Sequence, residues 1–230
     1  MKNKILILLM VVFMMFSMLF AACGDSPGPS ADVEKPSMLY QGHASVRITS
    51  KEGVVIYIDP ASGKGYDLPA DLILVTHSHT DHNMVSLVKK RADDCTIITN
   101  KEALVAGEYK TFSVKGVEIE AVEAKNGNHS SGCVGYIVTV DGVKIYHAGD
   151  TDKTKQMETF AAKEIDYALL PCDGNFNMDA AEAAECARII GAKHNVPIHT
   201  KNGKLFDDKV AEGFDAPNKL IIQPGEEIAL

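Results

Sequence analysis

The chain has 230 residues and a formal net charge of −8, from 31 acidic and 23 basic residues. This length suits one domain of ordinary size behind a short N-terminal segment. An acidic chain without a cluster of lysines and arginines binds nucleic acid poorly, so we predict no nucleic-acid partner. The hydrophobic fraction of 46% is normal for a globular protein and is sufficient for a packed core.

The N-terminus has the pattern of a secretory signal. Two lysines precede an apolar run that ends at Phe20, and Ala21-Ala22-Cys23 follows it. A cysteine directly after small residues resembles a bacterial lipobox. We therefore predict a lipoprotein signal peptide over residues 1–22 and a lipid on Cys23 that anchors the protein to the cell membrane, facing outside the cytoplasm. The alternative is an uncleaved transmembrane anchor, which places the domain on the same side.

A flexible tether is predicted over residues 23–36, because this segment is rich in Pro, Gly, Ser and Asp and cannot build a core. The remaining residues, 37–230, are predicted to form one domain. Loss of Lys2 and Lys4 with the signal would change the net charge from −8 to −10. Four cysteines follow Cys23, at positions 95, 133, 172 and 186, and their spacing shows no disulfide framework, so we predict buried free thiols.

Short strands dominate the first half of the domain. Runs of β-branched and aromatic residues predict strands over 38–40, 45–49, 54–58, 71–76 and 95–99. The Lys51-Glu52-Gly53 turn predicts a hairpin between the second and third of these strands. Apolar residues at helical spacing predict a helix over 84–92.

Strands and helices alternate in the second half. Strands are predicted over 117–122, 134–140, 143–147, 167–170, 195–198, 220–222 and 228–230. Helices are predicted over 154–163, 179–190 and 206–212, the second of them opened by a capping box of Asp179 and Glu182. This order indicates an α/β protein in which two sheets pack face to face with helices outside.

Six consecutive residues, His77-Ser78-His79-Thr80-Asp81-His82, carry most of the functional information. They follow the strand predicted over 71–76, so three imidazoles and a carboxylate project from one loop. Side chains crowded in this way repel one another when they are charged, and a metal cation removes that repulsion. The first two histidines can share one metal, while Asp81 and His82 can turn to a second.

Three further ligand candidates lie in loops at the ends of later predicted strands. His129 precedes one strand, Asp150 follows the next, and His199 ends a third. A two-metal site needs a third ligand for the first metal, a bridging ligand, and a last ligand for the second metal. The chain supplies a candidate for each, which favours a metal site over a histidine-rich surface loop.

Seven short motifs carry a family resemblance: Gly42-His43-Ala44, Ile58-Asp59-Pro60, the six residues from His77, His147-Ala148-Gly149-Asp150-Thr151, Leu169-Leu170-Pro171, Gly174-Asn175-Phe176-Asn177-Met178 and Pro197-Ile198-His199. With them, residues 39–230 resemble the metallo-β-lactamase-fold hydrolase superfamily. The resemblance is greatest to its bacterial metal-dependent hydrolases related to L-ascorbate-6-phosphate lactonase.

The resemblance implies a four-layer αββα sandwich of the α/β class, with a two-metal site at one edge of the paired sheets. It assigns ligands as follows: His77, His79 and His129 to one metal, Asp81, His82 and His199 to the other, and Asp150 to both. It also places His43 beside the metal pocket, where it can contact substrate; the alternative is a structural histidine. Asp59 is a candidate to accept the free N–H of a ligating histidine, or else forms a simple turn. His147 is predicted to be structural.

Two divalent cations close together lower the pKa of a bridging water and make hydroxide available to attack an ester, lactone or phosphodiester. Asp81 would accept a hydrogen bond from this nucleophile and move its proton. Nitrogen and oxygen ligands without a thiolate favour Zn²⁺, and Mn²⁺ or Fe²⁺ are compatible. We therefore predict a membrane-anchored, extracytoplasmic dinuclear hydrolase of a small-molecule substrate. The alternative is a lipoprotein that binds metal without catalysis, as a scavenger or sensor.

Overall fold

The computed structural model describes residues 35–127 and 132–230. Within them the strands are β1 (Ser37–Gly42), β2 (Ser45–Thr49), β3 (Val55–Ile58), β4 (Ala70–Val75), β5 (Arg91–Thr99), β6 (Leu104–Val105), β7 (Glu108–Tyr109), β8 (Thr111–Val114), β9 (Val117–Glu123), β10 (Val134–Val140), β11 (Val143–His147), β12 (Tyr167–Pro171), β13 (His194–Ile198) and β14 (Glu227–Ala229). The α-helices are α1 (Asn100–Ala103), α2 (Ala180–Ile190) and α3 (Asp208–Gly213), and 3₁₀ helices cover Val85–Leu87 and Lys155–Lys163. None of the helices in these residues is long and apolar enough to span a bilayer.

Two six-stranded sheets form the body of the domain. The first has the strand order β14-β1-β2-β3-β4-β5, and the second has the order β13-β12-β11-β10-β9-β8. Both sheets are mixed, with parallel as well as antiparallel pairs. The strands β3, β4 and β5 run parallel in the first sheet, and β11, β12 and β13 run parallel in the second. Each sheet therefore has one region in which the carboxyl ends of neighbouring strands lie side by side, where ligand sites usually form.

The main core lies between the two sheets, and strict alternation along the strands builds it. In β3, Ile56 and Ile58 face the second sheet, while Val55 and Tyr57 face outward. Residues on β9, β10 and β12 meet them from the other side. Side chains in a strand point alternately to the two faces of its sheet, so one short apolar strand contributes to two cores.

Different layers cover the outer faces of the two sheets. Against the second sheet pack α2 and the Lys155–Lys163 helix. Asp179 caps α2 by accepting hydrogen bonds from the Ala181 and Glu182 N–H groups, and Gly191 ends it at φ 68°. Loop side chains and the short Val85–Leu87 helix cover the first sheet. The predicted α/β sandwich is confirmed, with a thinner layer on one side.

The prediction of a helix over 84–92 is wrong. Only the Val85–Leu87 turn is helical, and the chain then enters β5, where Arg91 pairs with Ala70. The Arg91 guanidinium group donates to the carbonyls of Val85 and Val88, and so occupies acceptors that a longer helix would have used. Parallel pairing with the buried strand β4 thus overrides the helical spacing of the apolar residues.

Smaller differences lie at the ends of elements. The strand predicted over 220–222 is absent from the described structure, where only Lys219 bridges to Asn195. The helix predicted over 154–163 forms, but with 3₁₀ geometry over Lys155–Lys163. All four cysteines of the domain carry free thiols; three are buried and Cys95 is partly exposed.

Two tyrosines lie on opposite faces of the second sheet, and substitutions of them test whether a hydrogen bond between the sheets adds stability. Tyr136 Oη donates to Val75 O of the first sheet at 3.0 Å, whereas Tyr146 Oη is buried and makes no hydrogen bond within the described residues. We expect Tyr136→Phe to lower the free energy of unfolding by about 1 kcal/mol, and Tyr146→Phe to leave it unchanged or to raise it. Urea denaturation of both variants measures the difference, and equal losses would contradict this account.

Candidate metal centre

Loops that follow the parallel strands carry the polar side chains of the site. Asp59 follows β3, the His77–His82 loop follows β4, Asp150 follows β11, Asp173 follows β12 and His199 follows β13. His43 joins them from the turn between β1 and β2. Because the carboxyl ends of β3 and β4 in one sheet meet those of β11, β12 and β13 in the other, residues far apart in sequence converge.

Asp150 is the centre of the cluster. Its carboxylate lies 3.2 Å from His82 Nε2, 3.6 Å from His199 Nε2 and 3.8 Å from His77 Nε2. These four side chains are at most 4% exposed. Burial alone would raise the pKa of Asp150, but the surrounding imidazoles, His82 first among them, lower it.

Asp81 and His43 form the more open part of the site. His43 Nε2 lies 3.3 Å from Asp81 Oδ2, and the His43 ring lies 3.7 Å from the His199 ring, centroid to centroid. The hydrogen bond with His43 lowers the pKa of Asp81 below its usual range. The Asp81 side chain is 42% exposed, so this carboxylate faces the entrance.

The structure therefore brings together six of the predicted site residues. Their ligand atoms form two overlapping groups, each within 4.8 Å: His43, Asp81, His82 and His199 in one, and His77, His82 and Asp150 in the other. His79 belongs to neither group; it is exposed, with its ring 4.8 Å from that of His77. The predicted ligand His129 lies outside the described residues.

Asp59 orients two of the imidazoles. Its Oδ2 accepts from His82 Nδ1 at 2.8 Å and from Thr76 Oγ1 at 2.7 Å, and its Oδ1 accepts from the Thr76 N–H at 2.7 Å. Since Thr76 Oγ1 donates to Asp59, it accepts from His77 Nδ1, which lies 3.0 Å away. Both histidines thus carry their proton on Nδ1 and present the Nε2 lone pair to the site, as metal ligands must.

Asp173 lies against the Nδ1 atom of His199, and the sequence interpretation missed it. Its Oδ2 lies 3.0 Å from His199 Nδ1, and its side chain is 1% exposed. Its Oδ1 accepts from three successive backbone N–H groups, those of Asn175, Phe176 and Asn177. The available signal was a carboxylate just beyond a buried strand, the same signal that identified Asp59 and Asp150.

Three residues of the site hold left-handed backbone conformations that non-glycine residues rarely adopt. The φ angles are 55° at His43, 48° at Asp59 and 44° at His199. Each such residue costs of order 1 to 3 kcal/mol and persists only where its surroundings hold it. Here the backbone is held by contacts between the sheets, such as the His199 N–H donating to the His43 carbonyl at 2.7 Å. Five further non-glycine residues of the described structure have positive φ elsewhere, so three of the eight lie at this one site.

The segment from His147 to Gly149 fixes the position of Asp150. His147 Nε2 lies 2.7 Å from Ala44 O, and its Nδ1 accepts from the Gly149 N–H, so this buried imidazole is structural as predicted. Burial lowers its pKa and keeps it neutral. Gly149 has φ +64°, and a Cβ there would lie 2.8 Å from Val134 O, so only glycine fits this close approach.

The residues present fit a divalent cation. The Nε2 atoms of His82 and His199 are buried and make no hydrogen bond within the described part of the chain. Burying polar atoms in this state is unfavourable unless a partner binds them. Imidazole nitrogens and carboxylate oxygens are the ligands that Zn²⁺ takes in catalytic sites. The charges of Asp150 and Asp59 also outweigh burial and raise the pKa of His82 well above its usual value, so a proton and a cation compete for this site.

Comparisons with known proteins agree with this geometry. The sequence pattern described as the Beta-lactamase superfamily domain matches residues 37–199. A UPF0173 metal-dependent hydrolase of Pyrococcus furiosus is 33% identical over 225 residues, covering 83% of this chain and 98% of that protein.

Two solved structures share the fold. The metallo hydrolase Igni18 of Ignicoccus hospitalis superposes with a TM-score of 0.70 at 22% identity, covering 85% of this chain and 98% of that one. A putative metal-dependent hydrolase of Parabacteroides distasonis gives a TM-score of 0.64 at 27% identity, covering 80% and 90%. The chain belongs to the metallo-β-lactamase-fold superfamily, and within it is similar to the UPF0173 metal-dependent hydrolases. The predicted family, fold and class of enzyme are confirmed.

Substitution of Asp173 by asparagine separates its two roles. The amide oxygen can still accept from the three backbone N–H groups, but the NH₂ group then faces the His199 Nδ1 proton and favours the wrong tautomer. We expect Asp173→Asn to bind Zn²⁺ about 10- to 100-fold more weakly, measured by competition with a chromophoric chelator.

Asp179→Asn is the matched control, because Asp179 likewise accepts hydrogen bonds from backbone N–H groups, those of Ala181 and Glu182 at the start of α2. Equal zinc affinity in the Asp173→Asn variant and the wild type would show that the contact with His199 does not position this imidazole.

Proposed function

We propose that this metal-dependent hydrolase holds two divalent ions, with zinc the favoured metal and Mn²⁺ or Fe²⁺ compatible with the same ligands. The proposed ligands are His77, His79 and His129 for one ion, Asp81, His82 and His199 for the other, and Asp150 for both. One observation carries the proposal: the Nε2 atoms of His77, His82 and His199 lie within 3.8 Å of the Asp150 carboxylate. Their Nδ1 atoms lie against Thr76, Asp59 and Asp173.

Bound divalent ions would lower the pKa of a water molecule and polarise the bond to be cleaved. The protein contributes positioning and proton transfer. Asp81 is the carboxylate at the open side of the site, and it would accept the proton of the attacking water on its carboxylate. His43 Nε2, 3.3 Å from Asp81 Oδ2, is placed to pass a proton to the departing oxygen. The buried surroundings of Asp150 exclude bulk water from the other side.

The proposed substrate is a small ester, lactone or phosphodiester. The site opens beside Asp81 and His43 into a groove of about 370 Å³, which suits a small molecule. The acidic composition of the chain disfavours a nucleic-acid substrate.

The two histidines at the open side give a test of catalysis. In the zinc-loaded protein, we expect His43→Ala to retain metal and to lose about 100-fold or more in kcat against chromogenic esters, because proton transfer is removed. His199→Ala is expected to lose metal as well as activity. His194→Ala is the control, since His194 is exposed and stacks on Tyr167 away from the site.

Metal content by elemental analysis and hydrolysis of esters, lactones and bis-phosphodiesters are the measurements. A protein that binds two ions and hydrolyses none of these compounds would favour the alternative function, a metal-binding lipoprotein that acts as a scavenger or sensor.

We also propose that the enzyme is a lipoprotein on the outer side of the cytoplasmic membrane. The support is the sequence of residues 1–22 and the small residues before Cys23. A lipid anchor on the tether of residues 23–36 would keep the site close to the membrane and free to turn.

Replacement of Cys23 tests the anchor. In a bacterial host, we expect the full-length protein to sediment with membranes. We also expect protease added to spheroplasts to digest it. Cys23→Ser should prevent lipid attachment, shown by loss of labelled fatty acid. Cys95→Ser, which changes a partly exposed thiol of the domain, should leave the label unchanged. Labelling of the Cys23→Ser variant would disprove the anchor.

A further inference from the structure

The buried ligand cluster meets the protein surface at Asp81. The side chains of His77, His82, Asp150 and His199 are at most 4% exposed, whereas that of Asp81 is 42% exposed. Asp81 is therefore one place where a substrate can reach the cluster. The groove of about 370 Å³ begins there, with Asp81 and His43 at its inner end.

Two exposed apolar side chains line this groove. The large apolar side chains that are exposed in residues 35–127 and 132–230 are Met84, Ile97, Val105, Phe176 and Leu205. Met84, 41% exposed, and Leu205, 45% exposed, both lie on the groove. Single exposed apolar residues are common, but two that flank the entrance of a polar site indicate a surface for an apolar group.

Backbone hydrogen bonds connect both residues to the site. The Met84 N–H donates to Pro60 O at 2.9 Å, directly after Asp59. Leu205 O accepts from the His43 N–H at 2.6 Å, and the Leu205 side chain packs over Gly42, where an added Cβ would lie 3.2 Å from it. The backbone at both positions is therefore tied to the loops that carry Asp59 and His43.

Little charge lines the groove beyond Asp81. Among the described residues that line it, Lys204 carries the one permanent positive charge, and its side chain is exposed. An anionic group along the groove therefore has one exposed lysine as its partner, whereas an apolar group can contact Met84 and Leu205.

We propose that the substrate is an uncharged carboxylic ester or lactone whose acyl part carries an alkyl chain, and that this chain lies between Met84 and Leu205. This inference rests on the proposed hydrolase function. In the reaction, the oxygen of water bonds to the acyl carbon and the bond to the alcohol oxygen breaks. One proton goes to the alcohol oxygen, and the carboxylic acid formed releases another to solvent.

A series of p-nitrophenyl esters tests the proposal with zinc-loaded protein. We expect kcat/KM to rise about tenfold or more from the acetate to the hexanoate ester, because added methylenes gain contact with the apolar walls. Hexanoate should also bind more tightly than acetate when titrated calorimetrically. Met84→Ser and Leu205→Ser should each reduce both differences.

Two control variants separate the alternatives. Val105→Ser removes an equally exposed apolar side chain that does not line the groove, and it should change nothing. Lys204→Met should leave ester hydrolysis intact. Faster hydrolysis of bis(p-nitrophenyl) phosphate than of the hexanoate ester, lost in Lys204→Met, would overturn the proposal in favour of an anionic substrate.

Failure of this inference differs from failure of the proposed function. Activity on the acetate ester without any dependence on chain length would overturn the apolar groove alone. Inactivity of the zinc-loaded protein toward every ester and phosphodiester would overturn both. Circular dichroism of each serine variant checks that it is folded, and both positions are exposed, so neither substitution opens a cavity in the core.

Discussion

The buried carboxylate of Asp59 is the constraint on which the site depends. A carboxylate with no exposed surface is tolerated only if hydrogen-bond donors surround it, and here Thr76 and His82 supply three. These bonds fix the loop after β4 to the end of β3. Through Thr76 they also orient His77. One buried charge therefore sets the direction of two imidazoles before any metal binds.

The second sheet has a similar arrangement of a carboxylate beside an imidazole, with different residues. Asp173 lies 3.0 Å from His199 Nδ1 and organises the turn that follows it, and Asp150 stands between the imidazoles of both sheets. The left-handed backbone at His43, Asp59 and His199 is unfavourable by itself. Packing between the sheets compensates for it. The result is a preorganised set of nitrogen and oxygen ligands, which needs little rearrangement when a cation binds.

Local patterns predicted most of the strands, because alternating or continuous apolar residues in short runs leave few other arrangements. They failed at 84–92, where the apolar spacing is helical but pairing of Arg91 with Ala70 takes the chain into β5. They also missed the role of Asp173, since nothing near it in sequence indicates a partner. His199 lies on the next strand of the sheet and is reached only through the parallel pairing of β12 and β13.

The sequence by itself determined which residue types are available and where they fall relative to strands. The crowded histidines after β4, with Asp150 and His199 at later strand ends, were sufficient to predict a metal centre, and the resemblance carried by the longer motifs indicated its family. Only the tertiary structure decided which side chains meet, which carboxylate orients which imidazole, and that Met84 and Leu205 flank the entrance. The reason is physical: ligand chemistry belongs to single residues, whereas distance, burial and access depend on how two sheets pack against each other.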